Sequence, residues 1–138
     1  MLKTTKFIGA SSTLLVLGLM LTGCSAEQSK ADACDQLQDG MTSLQSDLTD
    51  TMGDIATDPT AGADAIAEIA DQFSENVDGI TNEEVKAAGD DAATALQTMS
   101  DDFSAYAEDP ADTASIEAMS TSATDAQTAM TELSTLCS

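Results

Sequence analysis

Residues 34–55 read CDQLQDGMTSLQSDLTDTMGDI, and this stretch decides the fold class. Its apolar side chains recur at alternating steps of three and four residues, which puts them on one face of an α-helix. They are Cys34, Leu37, Met41, Leu44, Leu48, Met52 and Ile55. Aspartates occupy mostly the opposite face. The stretch therefore predicts a first amphipathic helix from about Ala31 to Thr57.

Three later stretches repeat this spacing, and none sustains the period-two alternation of a β-strand. We expect a second helix over Pro59–Asp78, a third over Asn82–Ala107 and a fourth over Pro110–Leu136. Short loops between long helices place sequence neighbours antiparallel. The predicted fold is an all-α, single-domain, up-down-up-down four-helix bundle over residues 32–138.

Two Asp-Pro pairs, Asp58-Pro59 and Asp109-Pro110, mark the expected starts of the second and fourth helices. An aspartate carboxylate can cap the helix, and a proline at the first helical position loses no hydrogen bond because its N–H would be unpaired there. In the predicted topology both turns lie at the same end of the bundle. They are our candidate surface for a protein partner.

The connection between the second and third helices carries a different signal. Gly79 offers a helix stop, and Thr81 with Glu84 has the spacing of a capping box. Ile80 and Val85 are spaced as the hydrophobic staple of the same helix start. The segment also holds oxygen donors in a turn, but it lacks the alternating Asp/Asn spacing of an EF-hand calcium loop.

The N-terminus has the layout of a signal peptide. Lys3 and Lys6 precede an uncharged apolar run over residues 7–21, which is shorter than the roughly 20 residues of a membrane span. The run ends in Leu21-Thr22-Gly23-Cys24. These four residues resemble the lipobox of bacterial lipoproteins.

That resemblance implies a cleaved signal peptide over residues 1–23 and a diacylglycerol on Cys24. It also implies a protein held by lipid on the extracytoplasmic face of the cell membrane, with residues 24–31 as a short tether to the bundle. A plain secretory signal with a chance cysteine is the alternative. Apart from the covalent lipid, no cofactor is expected.

Charge limits the classes of partner. The chain has 25 acidic and 4 basic residues, a formal net charge of −21. All the acidic residues follow Cys24, where Lys30 and Lys86 are the only basic ones, and the chain has no arginine. Nucleic-acid binding relies on Lys and Arg neutralising phosphates, so we expect no nucleic-acid partner. The acidity itself is typical of a solvated surface.

The missing residue types also argue against catalysis. Without histidine, Ser-His and Cys-His nucleophile systems and imidazole metal sites cannot form. A carboxylate pair could still act in hydrolysis, but nothing in the sequence separates such a pair from the solvated face. We therefore expect a non-enzymatic protein and identify no catalytic or metal-ligating residue.

Cys34 and Cys137 remain once Cys24 carries lipid, and in an oxidising compartment we expect them to form a disulfide. Cys34 opens the first apolar stripe and Cys137 closes the last, so the two residues meet at one end of the bundle. One alternative is a pair of free buried thiols. A zinc site is the other, but two cysteines without any histidine fall short of the usual zinc ligand set. The bond would offset interior helical glycines, each costing about 1 kcal/mol against alanine.

These features favour an envelope lipoprotein that presents an acidic bundle to a protein partner or serves a structural role. The alternative is a lipoprotein that binds calcium on its acidic faces or a small apolar molecule between its helices. A ligand cavity would be expected beside small core residues, namely Ala88, Ala92, Ala123 and Ala126. The methionines Met41, Met52, Met99, Met119 and Met130 fall on or beside apolar stripes, which favours core packing over a thioether copper site.

Overall fold

The computed structural model of the protein describes residues 27–55 and 57–138. Four helices make up this part of the chain: α1 Lys30–Ile55, α2 Pro59–Asp78, α3 Glu83–Glu108 and α4 Thr113–Leu136. Each helix packs against the next one in sequence, so the predicted all-α four-helix bundle is confirmed. In the described ranges, no helix is long and apolar enough to cross a membrane.

The core draws on residues from all four helices. Its largest fully buried side chains are Phe73, Val77, Ile80, Val85 and Leu133, which come from α2, the α2–α3 turn, α3 and α4. Leu37 and Leu44 join them from α1. Burial of such side chains contributes roughly 1.5–3 kcal/mol each. These side chains tie α2, α3 and α4 into one core, with α1 packed against α2.

Two interior glycines allow close helix contacts. A Cβ added at Gly40 would lie 2.8 Å from Nδ2 of Asn76, and one at Gly89 would lie 3.0 Å from both methyl groups of Val77. Both distances are shorter than ordinary van der Waals contact. Gly40 thus brings α1 close to α2, and Gly89 brings α3 close to α2.

The start of α2 is the one the sequence predicts. Asp58 is the N-cap, and its Oδ1 accepts hydrogen bonds from the amides of Thr60 at 3.1 Å and Ala61 at 3.2 Å. Pro59 follows as the first helical residue. The second Asp-Pro pair behaves differently.

The predicted start of α4 at Pro110 is wrong, because Asp112 is the N-cap and the helix begins at Thr113. Oδ2 of Asp112 accepts hydrogen bonds from both the amide and the hydroxyl of Ser115. Asp109 instead caps the C-terminus of α3, and its carboxylate accepts from the Ala111 amide at 3.2 Å. Asp109 and Pro110 therefore form the turn before the helix.

The predicted capping box at α3 is also wrong. Asn82 is the N-cap, with its Oδ1 accepting from the Val85 amide at 3.1 Å. The Thr81 hydroxyl accepts from the Gln28 amide instead, so it is not available to α3. Ile80 and Val85 are both buried in the core, but with Asn82 as the cap they do not occupy the two positions of a hydrophobic staple.

Part of the expected tether over residues 24–31 is helical. The helix α1 begins at Lys30, so the last two residues assigned to the tether are helical. Ser29 caps this start, since its hydroxyl accepts from the Asp32 amide and its carbonyl from the Ala33 amide. Glu27 and Gln28 are hydrogen-bonded to the α2–α3 turn.

The bundle is open along one side. Among the described residues, no Cα of α1 lies within 8 Å of a Cα of α4. The two helices are joined at one end by the disulfide between Cys34 and Cys137, which follows α4 directly. The sequence predicts that α1 and α4 are adjacent. This prediction is correct at the disulfide, but the two helices do not pack together along the rest of their length.

Candidate functional site

The predicted lipid attachment site, Cys24, lies outside the described residues, which begin at Glu27. Glu27 and Gln28, the first two described residues, are hydrogen-bonded to the α2–α3 turn and to the start of α3. The Gln28 amide donates to Oγ1 of Thr81 at 3.2 Å, the Thr81 amide donates to Oε1 of Gln28 at 3.3 Å, and Nδ2 of Asn82 donates to the Gln28 carbonyl at 3.1 Å. The Glu83 amide also donates to Oε1 of Glu27. Glu27 and Gln28, which we call the entry segment, are thus fixed on the bundle, and Gln28 is four residues from Cys24.

An ion pair supports the same end of the bundle. Nζ of Lys30, at the start of α1, lies 3.4 Å from Oε2 of Glu84, at the start of α3. Both side chains are exposed, so the pair is worth little in free energy. Its position nevertheless shows that the starts of α1 and α3 lie side by side with the turn that binds Gln28.

The predicted disulfide is present. Cys34 and Cys137 are bonded, with their Cα atoms 5.4 Å apart and a sequence separation of 103. Cys34 lies one turn after the start of α1, so the disulfide shares an end with the Gln28 contacts. We call this the stapled end, defined by Gln28, Cys34, Thr81 and Cys137.

Beside the disulfide, a cleft of about 690 Å³ lies between α1 and α4. Its apolar lining comes from all four helices and comprises Leu37, Met41, Leu44, Ile69, Phe73, Leu96, Met130 and Leu133, together with the two bonded cysteines. Polar side chains such as Asp35, Gln38 and Gln45 also border it. We call this the α1–α4 cleft.

The floor of the cleft is apolar and buried, and each of its two walls carries a flexible methionine. Leu37, Phe73 and Leu133 are nearly fully buried, whereas Met41 on α1 and Met130 on α4 are half-buried. Methionine side chains are flexible and fit irregular apolar shapes. The arrangement suits an apolar ligand that spreads the two walls slightly.

The small residues expected beside a ligand cavity do not line the cleft. Ala92 and Ala126 are buried in the core, Ala88 is half-buried, and Ala123 is exposed. The α1–α4 cleft lies on the open side of the bundle and not beside these alanines.

The candidate partner surface lies at the end opposite to the disulfide. Asp58, Asp109 and Pro110 are exposed, and Pro59 is half-buried. Both carboxylates already accept hydrogen bonds from nearby backbone amides.

The turn considered for calcium has its polar groups engaged. Asp78 pairs with Lys86 at 3.5 Å, Asn82 caps α3, and Glu84 pairs with Lys30. A hydrogen bond to Asp90, with a weaker one to Asp78, raises the pKa of Lys86. Within residues 27–55 and 57–138, no three acidic or cysteine side chains converge into a group that could hold a metal ion.

The half-buried methionines agree with core packing. Met41 and Met130 pack against the core cluster, and Met99 and Met119 are half-buried on α3 and α4. The side chain of Met52 lies outside what the structure describes. Sequence reasoning assigned Met41 and Met130 to the core and missed that they line the cleft, because periodicity does not show how far apart two helices lie.

Comparison of the chain with protein-family models, with curated protein sequences and with solved structures gave no match.

Proposed function

We propose that the protein is a bacterial envelope lipoprotein, held on the extracytoplasmic face of the cell membrane by lipid on Cys24, and that its acidic bundle is a non-enzymatic interaction or structural module. The lipobox-like sequence Leu21-Thr22-Gly23-Cys24 at the end of an apolar signal region carries this proposal. Two or three acyl chains, at about 0.8 kcal/mol per buried CH₂, would hold it stably.

The contacts of Gln28 support a defined orientation at the membrane. Four residues of chain between Cys24 and Gln28 span at most about 14 Å. A lipid on Cys24 would therefore keep the stapled end next to the bilayer surface. The Asp58-Pro59 and Asp109-Pro110 turns would then face away from the membrane, where a protein partner could reach them.

The acidic surface sets the chemistry of such a partner. With a net charge of −21, the protein repels nucleic acids and anionic headgroups and favours association with basic surfaces. In the described part of the chain both lysines are paired with carboxylates, so they offer little to an anionic partner. A basic protein surface in the envelope is the partner that fits.

Labelling of intact cells with radioactive palmitate tests the anchor. The wild-type chain and the Cys34→Ala variant should both incorporate label and sediment with membranes. Cys24→Ala should lose the label and leave the membrane fraction. Label retained in Cys24→Ala would overturn the proposal, and Cys34→Ala serves as its matched control because it removes a cysteine but not the lipobox.

The second candidate is a lipoprotein that binds a small apolar ligand or calcium. The α1–α4 cleft specifically favours the apolar ligand, since its volume lies within the 300–1,000 Å³ typical of ligand pockets. Melting scans with calcium and with magnesium address the cation alternative. A larger rise in melting temperature with calcium than with equal magnesium would support a specific calcium site, and equal rises would reflect charge screening.

A further inference from the structure

We propose that the α1–α4 cleft binds one acyl chain of an uncharged lipid taken from the adjacent membrane leaflet. This inference rests on the proposed lipid anchor, which brings the stapled end to the bilayer. It also rests on the cleft's lining, length and charge.

The lining matches a hydrocarbon chain. Apolar side chains from all four helices form the floor and walls, and the disulfide lies at one end of the cleft. Met41 and Met130 lie on opposite walls and can adjust to a chain of variable shape. A chain placed there would cover apolar surface that the unpacked α1 and α4 leave open.

The dimensions favour one acyl chain over a partner helix. Along α1 the cleft extends from Cys34 to Gln45, which corresponds to about 17 Å of helix. An acyl chain spans one leaflet, about 15 Å, or half of the hydrocarbon core. A helix of that length, 10–12 Å across, would fill about 1,300–1,900 Å³, at least about twice the 690 Å³ of the cleft.

The charges select an uncharged headgroup. No lysine or arginine lines the cleft, and Asp35 borders it. Lys30 and Lys86 are engaged with Glu84, Asp78 and Asp90. A fatty-acid carboxylate would find no cation here and would meet an acidic surface, whereas a glycerol headgroup carries no such penalty.

The position favours a leaflet lipid as the source. The disulfide end of the cleft is the stapled end, which Gln28 fixes within four residues of Cys24. Residues 1–23 would be removed with the signal peptide, so their apolar run is not available to the mature protein. A chain leaving the bilayer would therefore enter beside the disulfide and lie along α1 and α4.

Photocrosslinking of the lipidated, full-length mature protein in phosphatidylcholine vesicles tests this. The vesicles carry monomyristoylglycerol with a diazirine in its chain or, in a matched set, myristic acid with the same diazirine. Peptide mapping should place crosslinks of the glycerol lipid on residues 34–45 and 130–138. Myristic acid should give about fivefold fewer crosslinks to these residues, because its carboxylate is repelled by the acidic surface.

Met130→Trp should fill the cleft and abolish the crosslinks, while Met119→Trp should leave them unchanged. The two methionines lie 11 residues apart on α4 and so on one face, but only Met130 lines the cleft. If Met130→Trp does not fold, Met41→Trp fills the cleft from the opposite wall.

Several results would overturn the proposal: equal crosslinking by the fatty acid, crosslinks confined to residues 24–28, or crosslinks that persist in both cleft-filling variants. If the diazirine lipid crosslinks to the cleft of the unlipidated protein but not to that of the lipidated protein, the acyl chains on Cys24 occupy the cleft themselves. Flotation with the vesicles reports the anchor separately. A protein that floats without cleft crosslinks contradicts only this inference, and one that fails to float contradicts the proposed function.

Discussion

The backbone amide of Gln28 donates to the Thr81 hydroxyl at 3.2 Å, and the Thr81 amide donates back to the Gln28 side chain at 3.3 Å. This reciprocal pair joins residues 53 positions apart. It fixes the entry segment on the α2–α3 turn and occupies the hydroxyl that would otherwise cap α3. The cap falls to the next residue, Asn82.

Removing the Asn82 side chain should therefore cost more than removing that of Thr81. Asn82→Ala should lower the free energy of unfolding by at least about 1 kcal/mol, the usual cost of losing an N-cap, since it also removes the hydrogen bond from Nδ2 to the Gln28 carbonyl. Thr81→Ala removes one exposed hydrogen bond to Gln28 and should cost less than about half of that. Urea denaturation of both variants measures the difference, and equal losses would contradict the assignment of the cap.

The disulfide should be the main link between α1 and α4, because these helices do not pack together beyond it. Replacing Cys34 and Cys137 by alanine opens a loop with a sequence separation of 103 and should lower stability by up to about 4.7 kcal/mol. Denaturation of the wild type with and without reductant measures this, with the double variant as control. A reductant effect of the same size in the double variant would contradict it.

Two glycine substitutions should have opposite effects. Gly89→Ala places a methyl group 3.0 Å from the buried, β-branched Val77, which cannot move aside, and should destabilise the fold by about 1–3 kcal/mol. At Gly40 the nearest atom is the terminal amide of half-buried Asn76, which can swing away. Gly40→Ala should then gain up to about 1 kcal/mol of helix propensity. Thermal melts that ranked the two in the reverse order would contradict these contacts.

The cap of α4 should give stability a dependence on acid pH. The Ser115 hydroxyl, followed by the amides of Ala114 and Ser115, lowers the pKa of Asp112 below its usual 3.8. The fold therefore favours the ionised carboxylate of Asp112. Its contribution to the free energy of unfolding is present above pH 3.8 and is lost as the pH falls through the pKa of the folded state. Asp112→Asn keeps a cap but removes the charge.

The melting-temperature difference between wild type and Asp112→Asn should thus be present near pH 6 and shrink below about pH 4. Asp125→Asn, which changes an exposed carboxylate in the middle of the same helix, is the control. A difference that stays constant down to pH 2, or one equally large in the control, would contradict the role of Asp112.

The helices and the disulfide could be predicted from the sequence because both follow from local pattern and redox chemistry. The Asp58-Pro59 signal gave the start of α2 correctly. At α4 two aspartates compete, and Ser115, three residues after Asp112, was the signal that separates them. Thr81 was misassigned because its partner, Gln28, is distant in sequence.

The α1–α4 cleft could not be predicted in this way. Leu37, Met41 and Leu133 have the periodicity of ordinary core residues, and periodicity reports which face is apolar but not what covers it. In the structure α1 packs on α2 and α4 packs on α3, and α1 and α4 do not pack on each other beyond the disulfide. Such helix spacing depends on side-chain fit across the whole bundle.

Intact mass measurement of the protein extracted from bacterial membranes tests the central claim most directly. The account predicts a chain that begins at Cys24, carries a diacylglycerol on that residue and is two hydrogens lighter because Cys34 and Cys137 are bonded. A chain that retains residues 1–23, or one that carries no lipid on Cys24, would contradict it.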